Sequence, residues 1–181
     1  MTETPTPDAA PEGELLEALH RESFGWALTC CGGCPADAEE VLQMSYAKYF
    51  NGQLRHAGRS TFKTWWFGVV RVTAHEHRRR TWLRWLRFAP LEEAGERAAE
   101  DAEPDAAAAR GEVVVAVQAA LARLSARQRE IVSLVFIHGL SLDEAALAAG
   151  VSSGSAHTHY QRGKERLRGL LRSQLPVGTN L

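Results

Sequence analysis

Two clusters of basic, aromatic and hydrogen-bonding side chains in this 181-residue chain have the types and spacing to bind nucleic acid. In the first, Lys63, Phe67, Arg71, Ala74 and Arg78 recur at offsets 0, 4, 8, 11 and 15 and run into Arg78-Arg79-Arg80, so on a helix basic and aromatic groups share one stripe. Arginines spaced in this way track phosphates, and aromatic faces hold unstacked bases at roughly 1–3 kcal/mol per base. A solvated charged face is the plainer reading of such a run, but acids to balance it are nearly absent: residues 51–89 hold nine basic side chains and one acidic. The second cluster reads Ser153, Ser155, His157, Thr158, His159, Gln161 and Arg162, then Lys164, Arg166 and Arg168. Hydrogen-bonding groups at a helix start suit base edges, and cations behind them suit phosphates. A third group, Cys30, Cys31 and Cys34, contains one C-x-x-C pair that could bind metal or form a redox disulfide, with His20 as the candidate fourth metal ligand. Its plainer reading is that Cys30 packs inward and the others occupy a loop. His75 and His77 are two apart rather than four, so they do not form the pair of a zinc protease helix.

These groups need elements to position them, and the hydrophobic pattern supplies helices. From Glu14, the residues Leu16, Leu19, Trp26 and Cys30 keep to one face until Gly32-Gly33 ends the helix. Cys34-Pro35 opens a second helix over about Pro35–Phe50, with Asp37, Glu39 and Glu40 where acids favour the helix dipole and Ala38, Val41, Leu42, Ser45 and Tyr49 inward. A polar loop follows, and then the longest element, about Thr61–Leu86, whose expected inner face is Phe62, Trp65, Trp66, Val69, Val70 and Thr73. In the last third Val113, Val114, Val117 and Leu121 share a face, and Ser125…Gln128 and Ser141…Glu144 are two capping boxes. A short Ala-rich helix over Leu142–Ala149 stops at Gly150, and Ser152 can cap a longer one, so the segment is a helix-turn-helix or a plain αα-corner.

The expected fold class is therefore all-α: two small helical domains, 14–88 and 112–173, joined by an acidic linker, 89–111, with tails at 1–13 and 174–181. The Pro-rich tail at 1–13 is expected to be disordered. Charge comes in blocks: the formal net charge is −1, yet both the 51–89 and 113–181 segments are basic and 90–112 carries eight acids against two bases. No run of roughly 18 apolar residues and no basic-then-apolar leader occurs, so neither membrane insertion nor secretion is expected and the chain reads as cytoplasmic. There is no Gly-rich phosphate loop, no carboxylate pair placed across a cleft and no nucleophile beside a base, so no enzyme activity and no cofactor are expected.

From about Glu14 to Leu171 the chain resembles a bacterial sigma factor of the extracytoplasmic-function (ECF) group, which consists of region 2 and region 4 joined by a variable linker. Three motifs carry the resemblance. Asp37-Ala-Glu-Glu40-Val-Leu-Gln43 resembles the region 2 helix that docks on the polymerase clamp helices, which implies Asp37, Glu40 and Gln43 as core-binding residues. The run from Phe62 through Trp65-Trp66, Arg71, His75 and Arg78-Arg79-Arg80 resembles the helix that recognises and opens the minus-ten element. The resemblance assigns Lys63, Arg71, His75, Arg78 and Arg79 to that DNA, together with the loop residues Arg55, His56 and Arg59, placed to capture a flipped base. Leu124-Ser-Ala-Arg127-Gln128-Arg129-Glu130 with Gly139-Leu-Ser-Leu-Asp-Glu144 and Gly150-Val-Ser resembles region 4, which implies that Ser153, Ser155, His157, Thr158, His159, Arg162 and Lys164 face the minus-35 element. The chain departs from the family in having Val72 after Arg71, where Asn is usual, and His157 and His159 where Lys and Arg are common.

The resemblance implies core RNA polymerase and promoter DNA as partners, and an anti-sigma factor that masks the same faces. It implies that the acidic linker passes through the polymerase cleft. Two other readings compete: a regulator with a LuxR-type helix-turn-helix, which would need a receiver or ligand-binding half, and a thiol or metal sensor built on the cysteines.

Overall fold

The computed structural model describes residues 9–88 and 110–174. The described residues form eight helices and no strand, as the hydrophobic periodicity requires. The chain divides into two compact units, Met1–Ala89 and Pro90–Leu181. The expected disorder of residues 1–8, the acidic linker at 89–109 and the tail at 175–181 lie outside the described residues.

The first unit holds α1 (Ala9–Ala18), α2 (His20–Cys30), α3 (Pro35–Phe50) and α4 (Phe62–Phe88). Two expectations are corrected at its start. Residues 9–13 are helical rather than disordered: Pro11 lies in the first turn, where its missing N–H has no helical partner to lose, and the Tyr49 hydroxyl donates to Glu12 Oε2 at 2.6 Å, tying α1 to α3. The expected single helix from Glu14 is two, α1 and α2, meeting at Leu19, though Leu16, Trp26 and Cys30 are buried as their shared face requires. Helix α3 has the expected bounds, with Pro35 in its first turn and Ala38, Val41, Leu42 and Ser45 buried.

The long helix is rotated from its expected setting. Trp66, Val70 and Thr73 are buried as expected, but so are Phe67, Arg71 and Ala74, which the sequence placed on an outer stripe. Phe62, Trp65 and Val69 are only half-buried. Both α2 and α3 pack on α4, so the buried arc is wide, and an apolar run from Trp65 to Val70 leaves periodicity little to choose between faces. Hydrogen bonding decides it: the Trp66 indole N–H donates to Ser23 Oγ and the Trp26 indole N–H to the Phe67 carbonyl, both at 2.9 Å. At 27 residues α4 is about 40 Å long and outruns its partners, so beyond buried His77 its residues 78–80 are exposed on every side.

The second unit holds α5 (Arg110–Ala122), α6 (Ala126–Phe136), α7 (Leu142–Ala149) and α8 (Ser153–Gln174). Both expected capping boxes are formed, at Ser125–Gln128 and Ser141–Glu144. Gly139 and Gly150 take the left-handed backbone that ends α6's extension and α7, with φ of 68° and 61°. Small residues set the packing distance: Ala145, Ala146, Ala149 and Ala156 are buried, and Gly163 lets α8 lie so close to α6 that a Cβ there would stand 2.7 Å from Val132 Cγ2. Val117 and Leu121 are half-buried on α5, while the side chains of Val113 and Val114 lie outside the described residues.

Candidate nucleic-acid and polymerase interface

In the first unit, α3 and α4 meet around His77, whose buried ring stands between two acids of α3. Its Nε2 is 3.0 Å from Asp37 Oδ1 and its Nδ1 is 3.6 Å from Glu40 Oε1. Asp37 and Glu40 thus brace the long helix with one edge and keep the rest of each carboxylate in solvent, and Gln43 is exposed one turn further on. Lys48 Nζ reaches Glu76 Oε2 at 2.7 Å and Thr73 Oγ1 at 3.3 Å, pinning the same two helices again.

The basic stripe divides into a held part and an open part. Arg71 is buried, at 8% exposure, with Phe67 and Ala74 of the same expected stripe, so that stripe is not open along its middle. Lys63 is half-buried, with Nζ 2.6 Å from Glu22 Oε2 and 5.7 Å from the centre of the Phe67 ring. Arg78 and Arg79 are exposed beyond the packed end, and the Arg78 guanidinium donates to His75 Nδ1 at 3.0 Å.

In the loop between α3 and α4, Arg55 and Arg59 are exposed. His56 is half-buried and acts as a strut: its Nε2–H donates to the Ser60 carbonyl at 2.9 Å, while its ring stands edge-on to Phe62 and tilts against Trp65 at 5.7 and 5.4 Å between centres. The sequence reading gave no role to Phe50, which is 70% exposed beside this loop and touches Tyr49 edge-on. Its signal was an aromatic at a helix end, where no later turn covers it. Trp82, at 58% exposure, and Leu83 are likewise open on the free end of α4; the side chains of Trp85 and Leu86 lie outside the described residues.

In the second unit, Ser152 caps α8 by accepting from the Ser155 N–H at 3.2 Å. Buried Ala156 fixes the rotation of α8 and so aims Ser153, Ser155, His157, Thr158 and Arg162 into solvent, with His159 and Lys164 at the margin. Lys164 Nζ sits 5.3 Å from the Tyr160 ring, which stacks on Phe136. The turn itself is held from beneath: the Arg127 guanidinium donates to buried Glu130 at 2.9 Å and to the Ala149 carbonyl, the last residue of α7, at 3.4 Å. Further along, Arg166 Nε donates to the Arg123 carbonyl at 3.2 Å, linking α8 to the end of α5.

The cysteines do not form the metal site considered from the sequence. His20 is engaged elsewhere, its Nδ1 3.0 Å from the Tyr46 hydroxyl, and no three His, Cys, Asp or Glu side chains among the described residues converge as a metal site needs. Cys30 is buried, as the plainer reading expected, and Cys31 and Cys34 are half-buried free thiols. Burial and the neighbouring Asp37 push the Cys31 thiol up to about 12, partly opposed by Arg78. No helix among the described residues is long and apolar enough to cross a membrane.

The family described as Sigma-70, region 4 matches residues 115–167, the span of the helix-turn-helix and its supports. The ECF RNA polymerase sigma factor SigF of Caulobacter vibrioides is 33% identical over 160 residues, covering 88% of this chain and 85% of that protein. The chain belongs to the ECF sigma factors. SigX of Bacillus subtilis, another ECF sigma factor, is 31% identical over 142 residues, covering 76% of this chain and 73% of its own length. The same helical fold is found in the sigma factor RpoE solved with the anti-sigma factor NepR from Bartonella quintana, with a TM-score of 0.69 at 22% identity over 91% of this chain and 99% of RpoE. It is found again in CnrH, solved with the cytosolic domain of CnrY, with a TM-score of 0.58 at 20% identity, covering 90% of this chain and 88% of CnrH. This sigma factor's likeness to SigF takes in the first unit as well as the second, so neither a LuxR-type regulator nor a cysteine-based sensor is supported as its function.

Proposed function

We propose that this ECF sigma factor divides its work between its two helical units. The first, residues 14–88, docks on core RNA polymerase through Asp37, Glu40 and Gln43 and engages the minus-ten element through Arg55, Arg59, Arg78 and Arg79, with His75 and Lys63 at the edge of that surface. His56 shapes the loop that receives an unstacked base, and Phe50 offers that base an aromatic face. The second unit, residues 112–173, places Ser153, Ser155, His157 and Thr158 against minus-35 base edges and Arg162, Lys164 and the margin of His159 against the backbone. The protein is a regulator rather than an enzyme, acts in the cytoplasm, and is held inactive by an anti-sigma factor, as RpoE is bound by NepR.

The observation that carries this reading is that each unit leaves cations and hydrogen-bonding groups open along one helix: Arg78 and Arg79 on α4, and His157, Thr158 and Arg162 on α8. The test is promoter opening by the reconstituted holoenzyme, read by permanganate reactivity of unpaired thymines. Wild-type protein should open a bubble that core polymerase alone does not. An Asp37→Ala, Gln43→Ala variant that retains its helicity but fails to co-elute with core supports the assignment of α3, and normal co-elution refutes it.

A further inference from the structure

We propose that Cys31 and Cys34 are a reversible dithiol-disulfide pair, a redox modification site for hydroperoxides in the turn between α2 and α3, with Cys30 excluded from it. This goes beyond the sigma-factor reading and does not depend on it. Three pairings are open to the three thiols of the sequence, and the fold selects one. Cys30, the last residue of α2, points into the core with 3% of its surface exposed. Cys31 ends α2 as its C-cap and Cys34 begins α3 as its N-cap, and both are half-buried and free. The chain turns from α2 to α3 within Cys31-Gly32-Gly33-Cys34, and the positive φ of both central glycines is that of a tight type I′ turn, whose end Cα atoms lie within about 7 Å. A disulfide needs Cα atoms about 4.4–6.8 Å apart, so the closing movement is small.

The intervening glycines supply that movement. Gly32 and Gly33 have φ of 71° and 94°, a backbone that side-chain-bearing residues rarely adopt, and nothing stands within 4 Å of where a Cβ would be on either. The turn is therefore both adjustable and open to a small oxidant. The neighbours of Cys31 include Asp37 and Arg78, residues of the proposed polymerase and DNA surfaces, so the pair sits where those surfaces adjoin.

The chemistry runs in two steps. Cys34, at the N-terminus of α3, reacts first: its sulfur attacks the peroxide oxygen, the S–O bond forms as O–O breaks, and an alcohol or water leaves with the thiol proton, giving a sulfenic acid. The Cys31 sulfur then attacks the Cys34 sulfur; S–S forms, S–O breaks, and the departing hydroxide takes the Cys31 proton to leave as water. Two electrons pass from the two thiols to the peroxide, and a dithiol reductant reverses the change.

The test treats the full chain with hydrogen peroxide, blocks remaining thiols by alkylation under native and then denaturing conditions, and maps the peptides by mass. Expected is a peptide in which Cys31 and Cys34 have lost two hydrogens and take no label, while Cys30 labels only after denaturation, and dithiothreitol restores both thiols. Continued labelling of Cys31 and Cys34, or a bridge that includes Cys30, overturns the proposal. A Cys31→Ser variant should stop at a Cys34 sulfenic acid trapped by dimedone; trapping absent in a variant with unchanged circular dichroism overturns it equally.

Discussion

Replacing Arg78 and Arg79 together with alanine should separate DNA binding from folding and from polymerase docking. Both side chains are exposed on α4 just beyond buried His77, and Arg78 is held by a surface hydrogen bond to His75, so the variant should unfold within about 0.5 kcal/mol of wild type. Each phosphate neutralised contributes about 0.9 to the slope of log affinity against log salt on duplex DNA and about 0.7 on single strands. Two lost contacts lower that slope by about 1.4–1.8, so between 50 and 200 mM salt the variant should lose roughly 7- to 12-fold less affinity than wild type over the same interval. The assay is holoenzyme binding to a labelled promoter fragment across a salt series, with core binding measured alongside. An unchanged slope would show that the free end of α4 does not lie on phosphate. Loss of core binding would place the arginines in the polymerase interface instead.

Arg71→Ala should behave in the opposite way, lowering the melting temperature of the first unit while leaving the salt slope near wild type, because Arg71 is buried. Gly163→Ala should destabilise the second unit by about 1 kcal/mol in thermal unfolding, since overpacking against Val132 costs about 1–3 kcal/mol and outweighs the helix preference for alanine. At Gly169, where a Cβ meets nothing, the same change should stabilise by up to about 1 kcal/mol. The raised thiol of Cys31 favours the folded state below its ordinary value of 9.0, and that contribution is lost as pH climbs from 9 towards about 12; Cys31→Ala should flatten the stability profile in that window, followed by chemical denaturation. His157→Ala should cut discrimination among minus-35 variants by about 1–3 kcal/mol, read as binding ratios between matched and mismatched sites, with little effect on minus-ten variants.

Much of this fold is written in local signals. The bounds of α3, both capping boxes and the glycine that ends α7 follow from residues within four positions of each other, where capping and dipole preferences act directly. The rotation of α4 did not follow, because Phe62, Trp65, Trp66, Phe67, Val69 and Val70 surround the helix with apolar groups, and the choice rested on partners 41 and 43 residues away, Trp26 and Ser23. The same blindness hid Arg71: a basic residue in register with Lys63 and Arg78 looks exposed until the neighbouring helices are in place. His77 was passed over as a wrongly spaced zinc ligand, and only the approach of α3 shows it as the post that Asp37 and Glu40 hold. In the second unit the exposed positions of α8 were legible, since Ser152 fixes where the helix starts and each later position follows by its period.

Run-off transcription on fragmented DNA from the source genome, with purified core RNA polymerase and with or without this protein, tests the central claim most directly. Discrete new start sites should appear that require the protein and share two upstream elements, one for each helical unit. No protein-dependent transcripts, together with no association with core polymerase, would contradict it.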